Sequence, residues 1–145
     1  MQATRLPVAT AFHSPAMMPA TDPFVRALQA VPFGAPRCPV YSNARADVYP
    51  EGEDAMRSTL ASAIAEPVRF AEQVRAMHAA GMRVFVEVGP SNVLSGLVER
   101  ILEGEEHLAV PLDRKGSSAQ LTAFWAGLGR LSVAGLPLDY AALWK

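Results

Sequence analysis

Val84-Phe85-Val86-Glu87-Val88-Gly89-Pro90-Ser91-Asn92-Val93-Leu94 is the stretch that decides the fold. From Val84 to Val88 the residues are β-branched or aromatic almost without interruption, the composition of a strand. Gly89-Pro90-Ser91-Asn92 turns the chain, and Val93, Leu94, Leu97, Val98 and Ile101 then recur at helical spacing. Another short apolar run, Leu108 to Leu112, reads as a second strand. Strands alternating with helices predict an α/β layer with parallel strands.

Working back towards the N-terminus, Phe70, Val74 and Met77 align on a helix stopped by Gly81. Before it, Met56, Leu60 and Ile64 share a face of a helix capped by Asp54 and broken by Pro67. Val40-Tyr41-Ser42 is a short strand candidate, and Asn43 to Gly52 a polar loop. Asp22-Pro23 looks like a cap with proline at the first helical position, followed by Phe24, Ala27, Leu28 and Val31. Leu6 to Phe12 reads as a buried strand. Towards the C-terminus, Leu121, Phe124, Trp125, Leu128 and Leu131 make an amphipathic helix ended by Gly135, with Trp125 in the core.

Composition narrows the function classes. The chain has 145 residues, half of them apolar and 19% charged, which suits one packed domain. A net charge of -1 with no run of arginine or lysine argues against a nucleic-acid binder. Cys38 is the only cysteine, so an intrachain disulfide and a cysteine-based zinc site are both excluded; it reads as a small buried filler. A reducing, cytoplasmic setting fits best. The first residues do not have the pattern of a signal peptide, and no window reaches the ~18–20 apolar residues of a membrane span.

His13 is the leading candidate for chemistry. It ends an apolar run, and Ser14-Pro15 turns the chain away from it, which leaves the ring free to face a cleft. A histidine so placed can be a general base for a nucleophilic serine; the plainer reading is a hydrogen-bonded structural histidine. Gly89-Pro90-Ser91-Asn92-Val93 approaches a G-x-S-x-G nucleophile elbow, but Val93 stands where the last glycine belongs and Pro90 does not suit the strained turn. Ser91 therefore reads first as a helix N-cap, with anion binding at that helix start as a further option. His78 reads as packing or partly exposed and His107 as solvated, and the three histidines lack metal-ligand spacing.

Several spaced motifs carry a family resemblance. Thr10-Ala11-Phe12-His13-Ser14 resembles the histidine motif of the acyltransferase domains of polyketide and fatty-acid synthases, the malonyl-CoA:acyl-carrier-protein transacylases. Pro36-Arg37-Cys38-Pro39-Val40-Tyr41-Ser42-Asn43 is similar to the strand that follows, and Glu66-Pro67-Val68-Arg69-Phe70 to the start of a PV-aromatic helix. Phe85 to Leu97 is similar to an E-x-G-P-x-x-x-L-(S/T)-x-L segment. Gly135-Leu136-Pro137-Leu138-Asp139-Tyr140 resembles the post-acyltransferase linker.

The resemblance implies a fold: the C-terminal part of an α/β-hydrolase-like large subdomain, with the last strand of a ferredoxin-like small subdomain. It implies residues 1–116 as the acyltransferase part and 117–145 as the linker. It also implies a mechanism. A serine in a G-H-S-x-G elbow takes the acyl group from an acyl-CoA and passes it to the phosphopantetheine thiol of an acyl carrier protein, with no bound cofactor or metal. His13 corresponds to the general base. A backbone carbonyl, falling on Arg69, orients its ring, and Phe12 beside it goes with malonyl-CoA rather than a methylmalonyl unit. The elbow serine and the arginine that clamps the malonyl carboxylate precede the histidine in the family and are not among these 145 residues. The chain alone is thus expected to be inactive, and its partners to be the N-terminal remainder of the acyltransferase, neighbouring synthase domains and the carrier protein, with no nucleic acid or membrane. The alternative is a non-catalytic docking or structural module derived from such a domain; a hydrolase using Ser91 is a third reading.

Overall fold

The computed structural model describes residues 10–114 and 120–144. It divides into two units, Met1–Ala76 and Met77–Lys145. The expected strand Leu6 to Phe12 lies outside the described residues over 6–9, and its described end is not a strand. Residues 10–13 form a turn, with the Phe12 N–H donating to the Thr10 carbonyl at 3.0 Å.

In the first unit a 3-10 turn, Pro15–Met17, leads into α1, Met18–Leu28. The helix begins four residues before the expected cap at Asp22, and Pro23 lies inside it. Pro23 has no N–H to donate to the Pro19 carbonyl, so one intrahelical hydrogen bond is missing at that point. The strand expected at Val40–Ser42 is β1 (Tyr41–Ser42); within the segment expected to be a polar loop, Asp47–Val48 forms β2, which pairs with β1 as an antiparallel hairpin with Tyr41 opposite Val48. Ser42 is buried there, and its carbonyl accepts from Arg45 and Ala46 at 3.2 and 2.8 Å to close the turn.

α2, Glu53–Ser62, starts one residue earlier than its expected cap. Gly52 holds the N-cap position at φ 90°, a conformation that favours glycine, and Asp54 lies in the first turn. Glu53 and Asp54 both pair with Arg57 from there, at 2.8 and 3.0 Å. α1 packs on α2, burying Leu28, Met56 and Ala61. The division between the units falls within α3, Phe70–Ala79, whose Val74 is buried.

The second unit holds the expected strand–helix–strand. β3 (Val84–Glu87) and β4 (Leu108–Pro111) are parallel, with Val84 opposite Leu108 and Glu87 opposite Pro111. α4, Val93–Ile101, makes the crossover that parallel strands require and packs on both. Val98, Leu102, Ala109, Val110 and Leu131 form the core of this unit. α5, Gln120–Val133, lies against β4 at Gly127, where an added Cβ would come within 2.7 Å of Leu112 Cδ2 and 3.1 Å of the Pro111 carbonyl oxygen. The helix ends at Gly135, φ 82°, and a 3-10 segment, Tyr140–Trp144, follows. The boundary expected between 116 and 117 lies outside the described residues.

Three side chains differ from expectation. Trp125 is at the surface, stacked on Trp144 with centroids 5.8 Å apart, rather than in the core. Cys38 is exposed rather than buried. The His107 ring is largely buried rather than solvated, because Glu99 and the Glu105 carbonyl hold its two nitrogens at 3.1 and 2.8 Å.

Candidate active site

His13 stands just before the 3-10 turn in the left-handed region of backbone space, φ 59°. For a non-glycine residue that conformation costs on the order of 1–2 kcal/mol, and the surroundings must hold it. Two main-chain carbonyls do so. The His13 N–H donates to the Ile64 carbonyl at 2.8 Å, and its ring Nδ1 lies 2.8 Å from the Ala63 carbonyl oxygen. Both acceptors sit just past the end of α2, where a helix leaves carbonyls without intrahelical donors. Ser14 fixes the next position, its hydroxyl donating to the Ala11 carbonyl at 2.6 Å.

The tautomer follows from the partners. A carbonyl oxygen can only accept, so Nδ1 carries the hydrogen and the neutral ring keeps its lone pair on Nε2. That nitrogen makes no hydrogen bond to any described residue. The ring is exposed, and so is Phe12 beside it. A ring clamped at Nδ1 with Nε2 open can take a proton from a neighbouring hydroxyl or thiol and return it.

The carbonyl on Nδ1 corrects the expectation for Arg69. Arg69 lies six residues beyond Ala63, and its own carbonyl accepts from Gln73 at 2.9 Å in the first turn of α3. Its N–H donates to the Asn43 carbonyl at 2.9 Å, while its guanidinium pairs with Glu72 and donates to the Arg45 carbonyl at 3.3 Å. Arg69 thus ties the hairpin to the start of α3. Sequence reasoning missed Ala63 because its contribution is a backbone atom; the only signal available was the end of a helix close to where a histidine could approach.

Ser91 does not act as the expected N-cap. It adopts φ 79°, its N–H donates to Asp113 Oδ2 at 2.9 Å, and Asn92 holds the N-cap position without a side-chain hydrogen bond. The cap comes from Glu87, at the end of β3. Its Oε1 accepts from the Leu94 N–H at 3.0 Å, and its Oε2 accepts from the Ser95 N–H and hydroxyl, both at 2.7 Å. Burial works against ionisation of Glu87, but the bonds from the Ser95 hydroxyl and from the Ser95 and Leu94 amides outweigh it and lower its pKa. With a carboxylate already on these amides, the anion-binding reading of this helix start falls away. No described histidine bonds the Ser91 hydroxyl; His78 and His107 are held by the Glu106 and Glu105 carbonyls.

No protein-family model matches the chain. Curated relatives do. Polyketide synthase GfsB of Streptomyces halstedii is 38% identical over 137 residues, covering 94% of this chain and 2% of the synthase. The malonyl CoA-acyl carrier protein transacylase of Bacillus subtilis is 37% identical over 109 residues, covering 75% of this chain and 34% of the transacylase. Among solved structures, the acyltransferase domain from the second module of the salinomycin polyketide synthase superposes with a TM-score of 0.82 at 31% identity, over 97% of this chain and 32% of that one. The chain therefore spans a small part of the synthase and about a third of the transacylase and of the solved domain. In both sequence and fold the chain matches a C-terminal portion of acyltransferase domains of polyketide synthases and malonyl transacylases.

Proposed function

We propose that this chain supplies the general base of an acyltransferase that moves a malonyl-type unit from coenzyme A to the phosphopantetheine thiol of an acyl carrier protein. The observation that carries the reading is the clamp on His13: Nδ1 on the Ala63 carbonyl, with Nε2 open. The nucleophilic serine comes from sequence outside these 145 residues. Nε2 takes the proton of that serine as its oxygen attacks the thioester carbonyl. The tetrahedral intermediate collapses, the C–S bond breaks, and the imidazolium returns the proton to the departing coenzyme A thiolate. In the second half the carrier thiol gives its proton to Nε2 and attacks the acyl ester; the serine oxygen leaves and recovers that proton.

Phe12, beside the base, is proposed as the pocket wall that excludes the extra methyl of a methylmalonyl unit. Residues 117–145 are proposed as the linker towards neighbouring synthase domains. The test uses the intact domain. His13→Ala should lower malonyl transfer to the carrier by about 10²–10⁴-fold. The isolated chain, offered malonyl-CoA, should keep its unmodified mass. Wild-type transfer by the variant, or a covalent malonyl adduct on the isolated chain, overturns the assignment.

A further inference from the structure

At the carboxyl end of β4 the second unit contains a hollow of about 250 Å³ that the transfer chemistry does not use. Its shape follows from α5. Gly127 brings the helix backbone close to Pro111 and Leu112, and Thr122 and Ala126 extend too little to fill the space beside it. Arg114, just past β4, and Arg130, on α5, also line it. Among the described residues neither guanidinium is in an ion pair, and no carboxylate lines the hollow. Asp113, the carboxylate next to Arg114, is already committed: Oδ2 accepts from the Ser91 N–H at 2.9 Å and Oδ1 from the Arg114 N–H at 2.7 Å.

We propose that this hollow is an anion site for the phosphate or pyrophosphate group of a small ligand. Two guanidiniums present forked donors that match phosphate oxygens, and Thr122 adds a hydroxyl. A concavity of this size suits one or two phosphoryl groups rather than the flat face of an acidic protein. The carboxyl ends of parallel strands are also where α/β sheets place their ligands. The proposal stands without the transacylase reading, because it concerns binding rather than transfer.

The test measures binding to the intact domain by calorimetry, with inorganic pyrophosphate, coenzyme A, dephospho-coenzyme A and pantetheine as probes. The Arg114→Gln/Arg130→Gln pair is compared with wild type, and His13→Ala serves as a control that leaves this site intact. Pyrophosphate should bind the wild type and lose about tenfold or more in affinity in the arginine pair, with no change in His13→Ala. Weaker binding of dephospho-coenzyme A than of coenzyme A would assign the site to the 3′-phosphate. Equal binding of those two but not of pantetheine would assign it to the diphosphate. Binding of pyrophosphate alone would assign it to a free phosphate. If no phosphate probe distinguishes the arginine pair from wild type, the proposal is wrong, even where carrier-protein binding is weakened.

Discussion

Replacing Glu87 by glutamine would test how the βαβ unit is held together. The carboxylate takes three donors on two oxygens: the Leu94 N–H, the Ser95 N–H and the Ser95 hydroxyl. Glutamine keeps one oxygen and turns an NH₂ towards at least one of those donors. Ser95 is buried, so a donor orphaned there cannot recover its bond from water. A hydrogen bond to a charged group contributes about 1.5–3 kcal/mol, and a buried unsatisfied donor costs a similar amount. These overlap rather than add, so the expected loss is about 2–3 kcal/mol. With a urea dependence of about 2 kcal/mol per molar, the unfolding midpoint of the intact domain should fall by roughly 1 M. The dependence on pH has a definite sign. The folded state lowers the Glu87 pKa, so its contribution is complete above the ordinary carboxylate range and is lost as pH falls through the folded value. The gap between wild type and Glu87→Gln should therefore be wide at neutral pH and narrow in acid. A glutamine variant as stable as wild type, or a gap that stays constant into acid, would refute the reasoning.

Two further substitutions probe the same unit. Gly127→Ala should cost about 1–2 kcal/mol in the same urea titration, because Leu112 can swing aside but the Pro111 carbonyl cannot; adding Leu112→Ala should recover part of that loss. Ser91→Gly should range from neutral to about 1 kcal/mol stabilising, since glycine accepts φ 79° without strain. A clearly destabilised glycine variant would give the Ser91 hydroxyl a structural task that its hydrogen bonds do not reveal.

The elements that could be read from sequence were those whose periodicity reports their own packing. β3, α4 and β4 fall where the apolar pattern of residues 84–112 puts them, because each element of a βαβ unit buries one consistent face. Signals that depend on a partner far along the chain were not legible. Asp22-Pro23 has the local form of a helix start, but the helix had already begun at Met18 behind a 3-10 turn. Ser91 and Asn92 have the composition of a cap, yet the capping group is a glutamate reaching over from the preceding strand. The second strand of the hairpin, Asp47–Val48, hides in a polar segment because two residues are too few to show alternation. His13 was legible as a residue, and its motif pointed to the family. Its anchor was not legible, because a carbonyl oxygen leaves no mark in the sequence.

That anchor has an evolutionary consequence. The two groups that aim His13 are carbonyls of Ala63 and Ile64, and every amino acid carries a carbonyl. The side chains at 63 and 64 can therefore be exchanged without loosening the hold on the ring, so long as the end of α2 stays where it is. Inserting or deleting one residue in α2 is a different matter. It would rotate the helix end by about 100° and shift it by about 1.5 Å, so both carbonyls would miss the ring. This part of the site is robust to point mutation and brittle to changes in length.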